Sequence, residues 1–152
     1  MPAAAIPDDE RERLAALRSC GILDTDPEPA FTDIAELARQ ICGTPIALVS
    51  LVDADRQWFK ARVGLAASET PRASSFCAHA VFSGRPLVVE DTHADDRFTD
   101  NPLVTGEPHI RFYAGVPLVL GDGSAVGTLC VIDRTARTLS ATQFDALTML
   151  AR

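Results

Sequence analysis

The stretch from Arg111 to Asp133, RFYAGVPLVLGDGSAVGTLCVID, restricts the fold more than any other part of the chain. Phe112 to Val119 is apolar and rich in aromatic and β-branched residues, and Ala125 to Ile132 is a second apolar run. Gly121, Asp122, Gly123 and Ser124 between them supply the chemistry of a tight reversal. In the second run, alternation sets Val126, Thr128, Cys130 and Ile132 on one face and Gly127, Leu129 and Val131 on the other. Neither face is charged before Asp133, so this hairpin is expected within a sheet, covered on parts of both faces. Pro117 cannot donate to a strand ladder, which predicts a bulge or a partial edge beside it. Gly115 and Gly127 predict a close approach to the backbone, by a packed helix or by a ligand.

The totals narrow the class. One hundred and fifty-two residues suit a single domain, long enough to bury a core without staples. The formal charge of −7 and the single lysine, Lys60, disfavour nucleic acid and anionic membrane as partners. No apolar run has the length of a membrane span, and MPAAAIPDDE lacks the basic start and apolar stretch of a secretion signal. Cys20, Cys42, Cys77 and Cys130 are widely spaced, without C-x-x-C, and read as free thiols of a cytoplasmic protein.

After a loose tail over residues 1–7, Asp8 or Asp9 caps a helix through ERERLAALRSC. Its apolar side is Leu14 and Leu17 with Ala16 and Cys20, and Gly21 stops it. DTDPEP is a linker. Ala30 to Cys42 is an amphipathic helix whose stripe is Phe31, Ile34, Leu37, Ala38 and Ile41. Ile46 to Val52 and Trp58 to Val63 form a second hairpin. In its outer strand Phe59, Ala61 and Val63 share one face, while Trp58, Lys60 and Arg62 give the other a charged, edge-protecting character. Gly64 to Ser74 reads as irregular, Ser75 caps a short helix from Phe76 to Ser83, and Leu87 to Glu90 is a short strand. Asp91 to Glu107 carries one or two helical turns over the sheet. Ser140 and Gln143 make a capping box for a last helix with the stripe Phe144, Leu147 and Leu150. Hairpins dominate, so the fold class is α+β: a central antiparallel sheet of five to six strands flanked by helices.

Three stretches, IALVSLVDADRQWFKARVGL, SFCAHAVFSGRPLVVEDTHADDRFTDNPLV and RFYAGVPLVLGDGSAVGTLCVIDR, together make the chain resemble a GAF domain over about residues 22–152. The resemblance is to the modules that open many bacterial sensor histidine kinases and diguanylate cyclases, and ERLAALRSCGILDTDPEPAF resembles the segment preceding them. It divides the chain into residues 1–29, a tail, helix and linker, and residues 30–152, a GAF/PAS-like sensory domain ending in a connector helix. It implies a small-molecule sensor, not an enzyme, with a pocket between one sheet face and the short helix and loop over it. The ligand itself stays unknown, since one fold serves many ligands.

Transferred to this sequence, that pocket lies among three groups. Phe76, Cys77, His79 and Ala80 come from the short helix. Arg97 and Phe98 come from the covering loop, and Tyr113, Gly115, Thr128 and Cys130 from the hairpin. Phe98 is expected to pack as a lid with Arg97 paired to a carboxylate. Arg111 and Tyr113 are expected either to hold a polar ligand head or to face solvent at a strand end. Cys77 and His79 are two apart on a helix and point away from each other, which argues against a nucleophile–base pair. Bilin-binding members of the resembled family use a Cys-His dipeptide, which Ala78 interrupts here. Members that bind cyclic nucleotides have a lysine absent beside Asp96, Arg97 and Phe98. No spacing of His79, His93, His109 and the cysteines suggests a metal. Two alternatives stay open: a cysteine-dependent reductase of the free methionine sulfoxide type using Cys77 and Cys130, and a structural dimerisation module with a filled pocket. The terminal helices, Arg11–Cys20 and Ala141–Arg152, are expected to pack together, to form a homodimer and to lead into an output domain.

Overall fold

The computed structural model describes residues 3–151. The strands are β1 (Ile46–Val52), β2 (Arg56–Val63), β3 (Glu69–Pro71), β4 (Leu87–Val89), β5 (Phe112–Val119) and β6 (Ala125–Asp133). The helices are α1 (Glu10–Ser19), α2 (Pro29–Cys42), α3 (Phe76–Ser83), α4 (Pro102–Thr105) and α5 (Ala141–Leu150). The six strands form one sheet in the order β3-β2-β1-β6-β5-β4, and every neighbouring pair is antiparallel. The α+β class is therefore as expected. The two hairpins stand side by side, joined where β1 pairs with β6 from Ile46↔Ile132 to Leu51↔Gly127.

All seven residues of β1 are buried, because both sheet faces are covered. On one face Ile46, Leu48, Tyr113, Cys130 and Ile132 pack under α3 and the 92–110 segment, against Phe76, Val81, Phe98 and Ile110. On the other, Ala47, Val49, Val116, Leu129 and Val131 meet Ala35, Ala38 and Cys42 of α2 and Leu147 of α5. A third cluster joins Leu17 of α1 to Leu51, Trp58 and Val126. Gly127 is demanded by the strand pairing: a Cβ there would sit 1.9 Å from the Ser50 carbonyl oxygen. The close approach expected at this glycine is made by β1 itself, not by a helix or a ligand. Pro117 lies beyond the reach of β4, which pairs only with Tyr113 to Gly115. It therefore occupies the expected partial edge, and the irregularity in the ladder falls one residue later, between Leu118 and Val119.

Two bulges overturn the simple alternation. Val49 pairs with Ala61 but Ser50 with Phe59, which leaves Lys60 as an extra residue. Phe59 consequently turns to the α3 face while Ala61 stays on the α2 face, so the two do not share a face as expected. Likewise Leu118 pairs with Gly127 and Val119 with Ala125. This frees Val126 to turn toward α1, away from Cys130 and Ile132.

Lys60 is also no surface guard. Its ammonium is fully buried, bonds the Thr25 hydroxyl at 2.7 Å and the Asp26 carbonyl at 2.6 Å, and pairs with Glu28 at 2.6 Å. One lysine thus clamps the linker to the sheet, and a short edge strand, β3, shields β2. This strand and a 3₁₀ turn at Arg72–Ser74 occupy the segment expected to be irregular.

The helices depart from the expected stripes in the same way. On α1 the buried residues are Arg13 and Leu17, with Cys20 exposed. Arg13 donates from Nη1 to the Val52 carbonyl at 2.7 Å and from Nε to Glu10 at 2.8 Å. On α2 the buried positions are Ala35, Ala38 and Cys42, while Leu37 and Ile41 are 47% and 40% exposed. The apolar arc is wider than the strip the sheet covers. The capping box of Ser140 and Gln143 is present, with α5 starting at Ala141. Helix α5 lies on α2, where Gln143 Nε2 donates to the Ile41 carbonyl, whereas α1 packs onto the β1/β2/β6 end of the sheet. Within one chain the two terminal helices therefore serve different parts of the sheet. Arg152, the end of the expected last helix, and residues 1–2 of the tail lie outside the described residues.

Two outcomes follow from this packing. Leu129 is fully buried, so Leu129→Ala is expected to cost about 2–5 kcal/mol, read by chemical denaturation; a loss below about 0.5 kcal/mol would be that of a surface site. Burial would raise the Glu10 carboxyl, but the guanidinium groups of Arg13 and Arg72 outweigh it and hold it at about 2, against 4.5 for an ordinary glutamate. A depressed folded-state value stabilises above the unfolded one. The contribution is present above pH 4.5 and is lost as pH falls from there toward about 2. Glu10→Gln should flatten that acid limb of an equilibrium-unfolding series and leave the neutral-pH slope unchanged.

Candidate functional site

Ser75 fixes the start of α3 twice: its hydroxyl accepts from the Ala78 amide at 3.1 Å and donates to Gln57 Oε1 at 2.6 Å. Gln57 in turn donates to Thr70 Oγ1 at 2.9 Å, tying β2, β3 and α3 together. This setting turns Phe76 and Cys77 onto the sheet. Phe76 stacks on Phe98, with ring centroids 4.1 Å apart and planes 10° apart, and tilts against Tyr113 at 5.2 Å. Phe98 is fully buried and acts as the expected lid, with Arg97 paired to Asp95 at 2.7 Å.

The expected site residues do converge, but they fill the space they enclose. Tyr113 folds over Gly115, where a Cβ would lie 2.2 Å from its hydroxyl. The ring, not a ligand, occupies the room left by this glycine. The Tyr113 hydroxyl then donates to Cys77 Sγ at 3.1 Å, and Thr128 Oγ1 donates to the same sulfur at 2.9 Å. Cys130 lies beside them, and a cavity of about 20 Å³ is all that remains among Cys77, Tyr113, Cys130 and their neighbours. Ala80 is fully buried in α3. His79 points elsewhere: its ring meets the edge of Phe98 at 5.0 Å, and its Nε2 is buried without a partner. Burial, and then the charge of Arg97, lower its pKa. Arg111 pairs with Asp91 at 2.9 Å and Tyr113 is buried, so the pair does not form a ligand clamp.

The open space lies next door. A cleft of about 420 Å³ runs between β1, β2 and β6, the 64–70 loop and the 103–110 segment. Its apolar walls include Leu48, Phe59, Ile110 and Ile132, and its polar groups are Gln57, Thr70, Glu107 and Arg134. None of the ten residues expected from sequence lines it. The Arg134 guanidinium donates from Nε to the Pro108 carbonyl at 3.0 Å, which ties the end of β6 to the far wall. The small cavity and the cleft share Leu48, Gln57, Leu103, Ile110 and Ile132. Only a layer of side chains therefore separates the thiols from the open space. The signal for the cleft in the sequence was Gly64 with Ala66 and Ala67, whose small side chains cannot fill a concavity.

The thiol group has its own electrostatics. Burial pushes Cys77 up, but hydrogen bonds from Cys130, Thr128 and Tyr113, with a contribution from Ser50, outweigh it and bring the thiol down to about 7. The Ser50 hydroxyl is buried and has no partner of good hydrogen-bond geometry. Cys130 is raised well above the usual thiol range by its bond to Cys77 and by burial, so the pair gives up one proton readily and the second with difficulty. Among the described residues no group of three or more His, Cys, Asp or Glu is placed to hold a metal, and no helix is long and apolar enough to cross a membrane.

Comparison with known proteins agrees with this architecture. Residues 26–152 match the family model of the GAF domain. A cyclic di-GMP phosphodiesterase of Pseudomonas aeruginosa is 47% identical over 131 residues, 86% of this chain but 22% of that protein. The GAF domain of an Acinetobacter phosphoenolpyruvate-protein phosphotransferase superposes with a TM-score of 0.68 at 16% identity, covering 95% of this chain and 89% of that one. A free methionine-R-sulfoxide reductase from Neisseria meningitidis, solved with its substrate, gives 0.65 at 23% identity, covering 99% and 92%. At such identities the structural likeness speaks for the fold alone, whereas the family match spans most of the sequence: the chain belongs to the GAF domain family.

Proposed function

We propose that this chain is the sensory unit of a longer cytoplasmic signalling protein, and that it takes a small ligand in the cleft beneath the 64–70 loop. The observation that carries the reading is the cleft itself. About 420 Å³ falls in the range of small-molecule sites, and an apolar floor with a few polar groups at the rim is their usual chemistry. A compact ligand, largely apolar with one polar end, suits walls of Leu48, Phe59 and Ile132 facing Arg134 and Thr70. Residues 64–67, between β2 and the start of β3, are largely exposed, so they can move aside at small cost.

Regulation fits this cleft better than catalysis. No cysteine or histidine lines it, and the thiols that a reductase would need are buried behind its wall. The sequence relative carries the matching stretch as 22% of its length, which supports a regulatory unit attached to an enzyme that turns over a cyclic dinucleotide. The exposed apolar side chains Leu37 and Ile41 of α2 and Met149 of α5 support a dimer contact on that side of the sheet. Such a contact would be the route by which a change in the cleft reaches the rest of the protein.

The test is a thermal-shift screen of small metabolites against the wild-type chain and Ala67→Trp, which places an indole at the cleft mouth from an exposed loop position. At least one compound is expected to raise the melting temperature of the wild type and not of the variant, with both chains melting together when unliganded. Equal shifts in the two proteins for every active compound would overturn the cleft as the binding site.

A further inference from the structure

The thiol cluster under α3 has no part in the proposed ligand cleft, and it is more elaborate than packing requires. Thr128 Oγ1 lies 2.9 Å and the Tyr113 hydroxyl 3.1 Å from Cys77 Sγ. These are short contacts for a neutral thiol, which is a weak acceptor. Cys130 lines the same small cavity as this sulfur, and the buried Ser50 hydroxyl, unpartnered, faces it. Hydroxyl groups from β1, β5 and β6 thus converge with a second thiol on one atom of α3. That arrangement matches a sulfur carrying charge. The titratable groups facing it are Tyr113 from β5 and Cys130 from β6. The cavity beside both sulfurs is about 20 Å³, enough for a molecule of about the size of water, and it shares a wall with the open cleft.

We propose that Cys77 and Cys130 form a peroxide-sensitive dithiol, a modification site that links α3 to β6 on oxidation. The Cys77 thiolate attacks one oxygen of a hydroperoxide: a sulfur–oxygen bond forms, the oxygen–oxygen bond breaks, and the leaving hydroxide takes a proton to become water. The sulfur is oxidised to a sulfenic acid and the peroxide is reduced. Cys130 then attacks that sulfur, the sulfur–sulfur bond forms, and the hydroxyl leaves as a second water with the proton Cys130 gives up. Two thiols and one peroxide become one disulfide and two waters. A cavity of this size excludes bulky oxidants, which leaves hydrogen peroxide, the smallest hydroperoxide, as the oxidant. Cys42 lies on the opposite sheet face and Cys20 is exposed on the surface, so each serves as an internal control.

Peptide mapping of the full chain after hydrogen peroxide treatment, with free thiols alkylated in denaturant, tests the assignment. The expected product is a Cys77–Cys130 cross-link that dithiothreitol reverses, with Cys42 still alkylated. Between about pH 6 and about pH 8 its rate of formation should rise about tenfold, the change in thiolate fraction of a group titrating near 7. In Cys130→Ser, Cys77 should be trapped by dimedone as the sulfenic acid. Should that variant not fold, wild-type mapping and its pH dependence decide alone. Free Cys77 and Cys130 at a dose that oxidises Cys20, a cross-link to Cys20 or Cys42 instead, or a rate independent of pH would each overturn the proposal.

Discussion

The contact on which the rest depends is the backbone approach of β6 to β1 at Gly127. No side chain fits there, because the Ser50 carbonyl occupies the space a Cβ would take. The two hairpins are otherwise separate units, each too small to bury its own faces. Pairing them from Ile46↔Ile132 to Leu51↔Gly127 creates a strand pair whose alternating side chains serve two cores at once. Leu48, Cys130 and Ile132 supply the α3 side, and Val49, Leu129 and Val131 the α2 side. Without that junction neither the cleft nor the thiol cluster has a floor.

The elements were largely legible, because each had a local cause. The hairpin turn at Gly121–Ser124, the caps at Ser75 and Ser140, and the glycine stop at position 21 are written in single residues whose physics acts at short range. What sequence could not reveal was where a strand breaks step. Nothing in QWFKARV marks Lys60 as the bulged residue, and the alternation that puts Phe59 with Ala61 is the sensible reading until the register against β1 is known. The same holds for Arg13. A cation at a helix position that faces the core reads as polar until the Val52 carbonyl and Glu10 are found waiting for it. Both buried cations end on backbone carbonyls, and backbone partners leave no trace in composition.

The site was legible as a neighbourhood and not as a cavity. Helix α3, the lid Phe98 and the inward residues of β5 and β6 do meet, as the order of elements implied. Whether a meeting of side chains leaves space depends on tenths of an ångström, and Tyr113 closes the gap that Gly115 opens. The concavity instead forms where small residues of the 64–70 loop span from β2 to β3 without filling the ground between them. Composition marks that loop as polar and irregular, and only the pairing of β3 with Arg56 to Trp58 shows that it arches over the sheet.

The filled and the open parts of the α3 face are coupled by the residues they share. Leu48 and Ile132 line both the cleft and the small cavity beside the thiols. They belong to the two central strands, whose next residues, Ala47, Val49 and Val131, face α2. A tightly packed interior does not absorb a displacement locally. A shift of β1 or β6, whether from occupancy of the cleft or from a bond between α3 and β6, must therefore appear on the α2 side as well. There the packing is made of Ala35, Ala38 and Cys42, small side chains that hold the helix close to the sheet and leave little slack. The outer side of that helix leaves Leu37 and Ile41 uncovered, so a displacement of α2 reaches an exposed apolar surface.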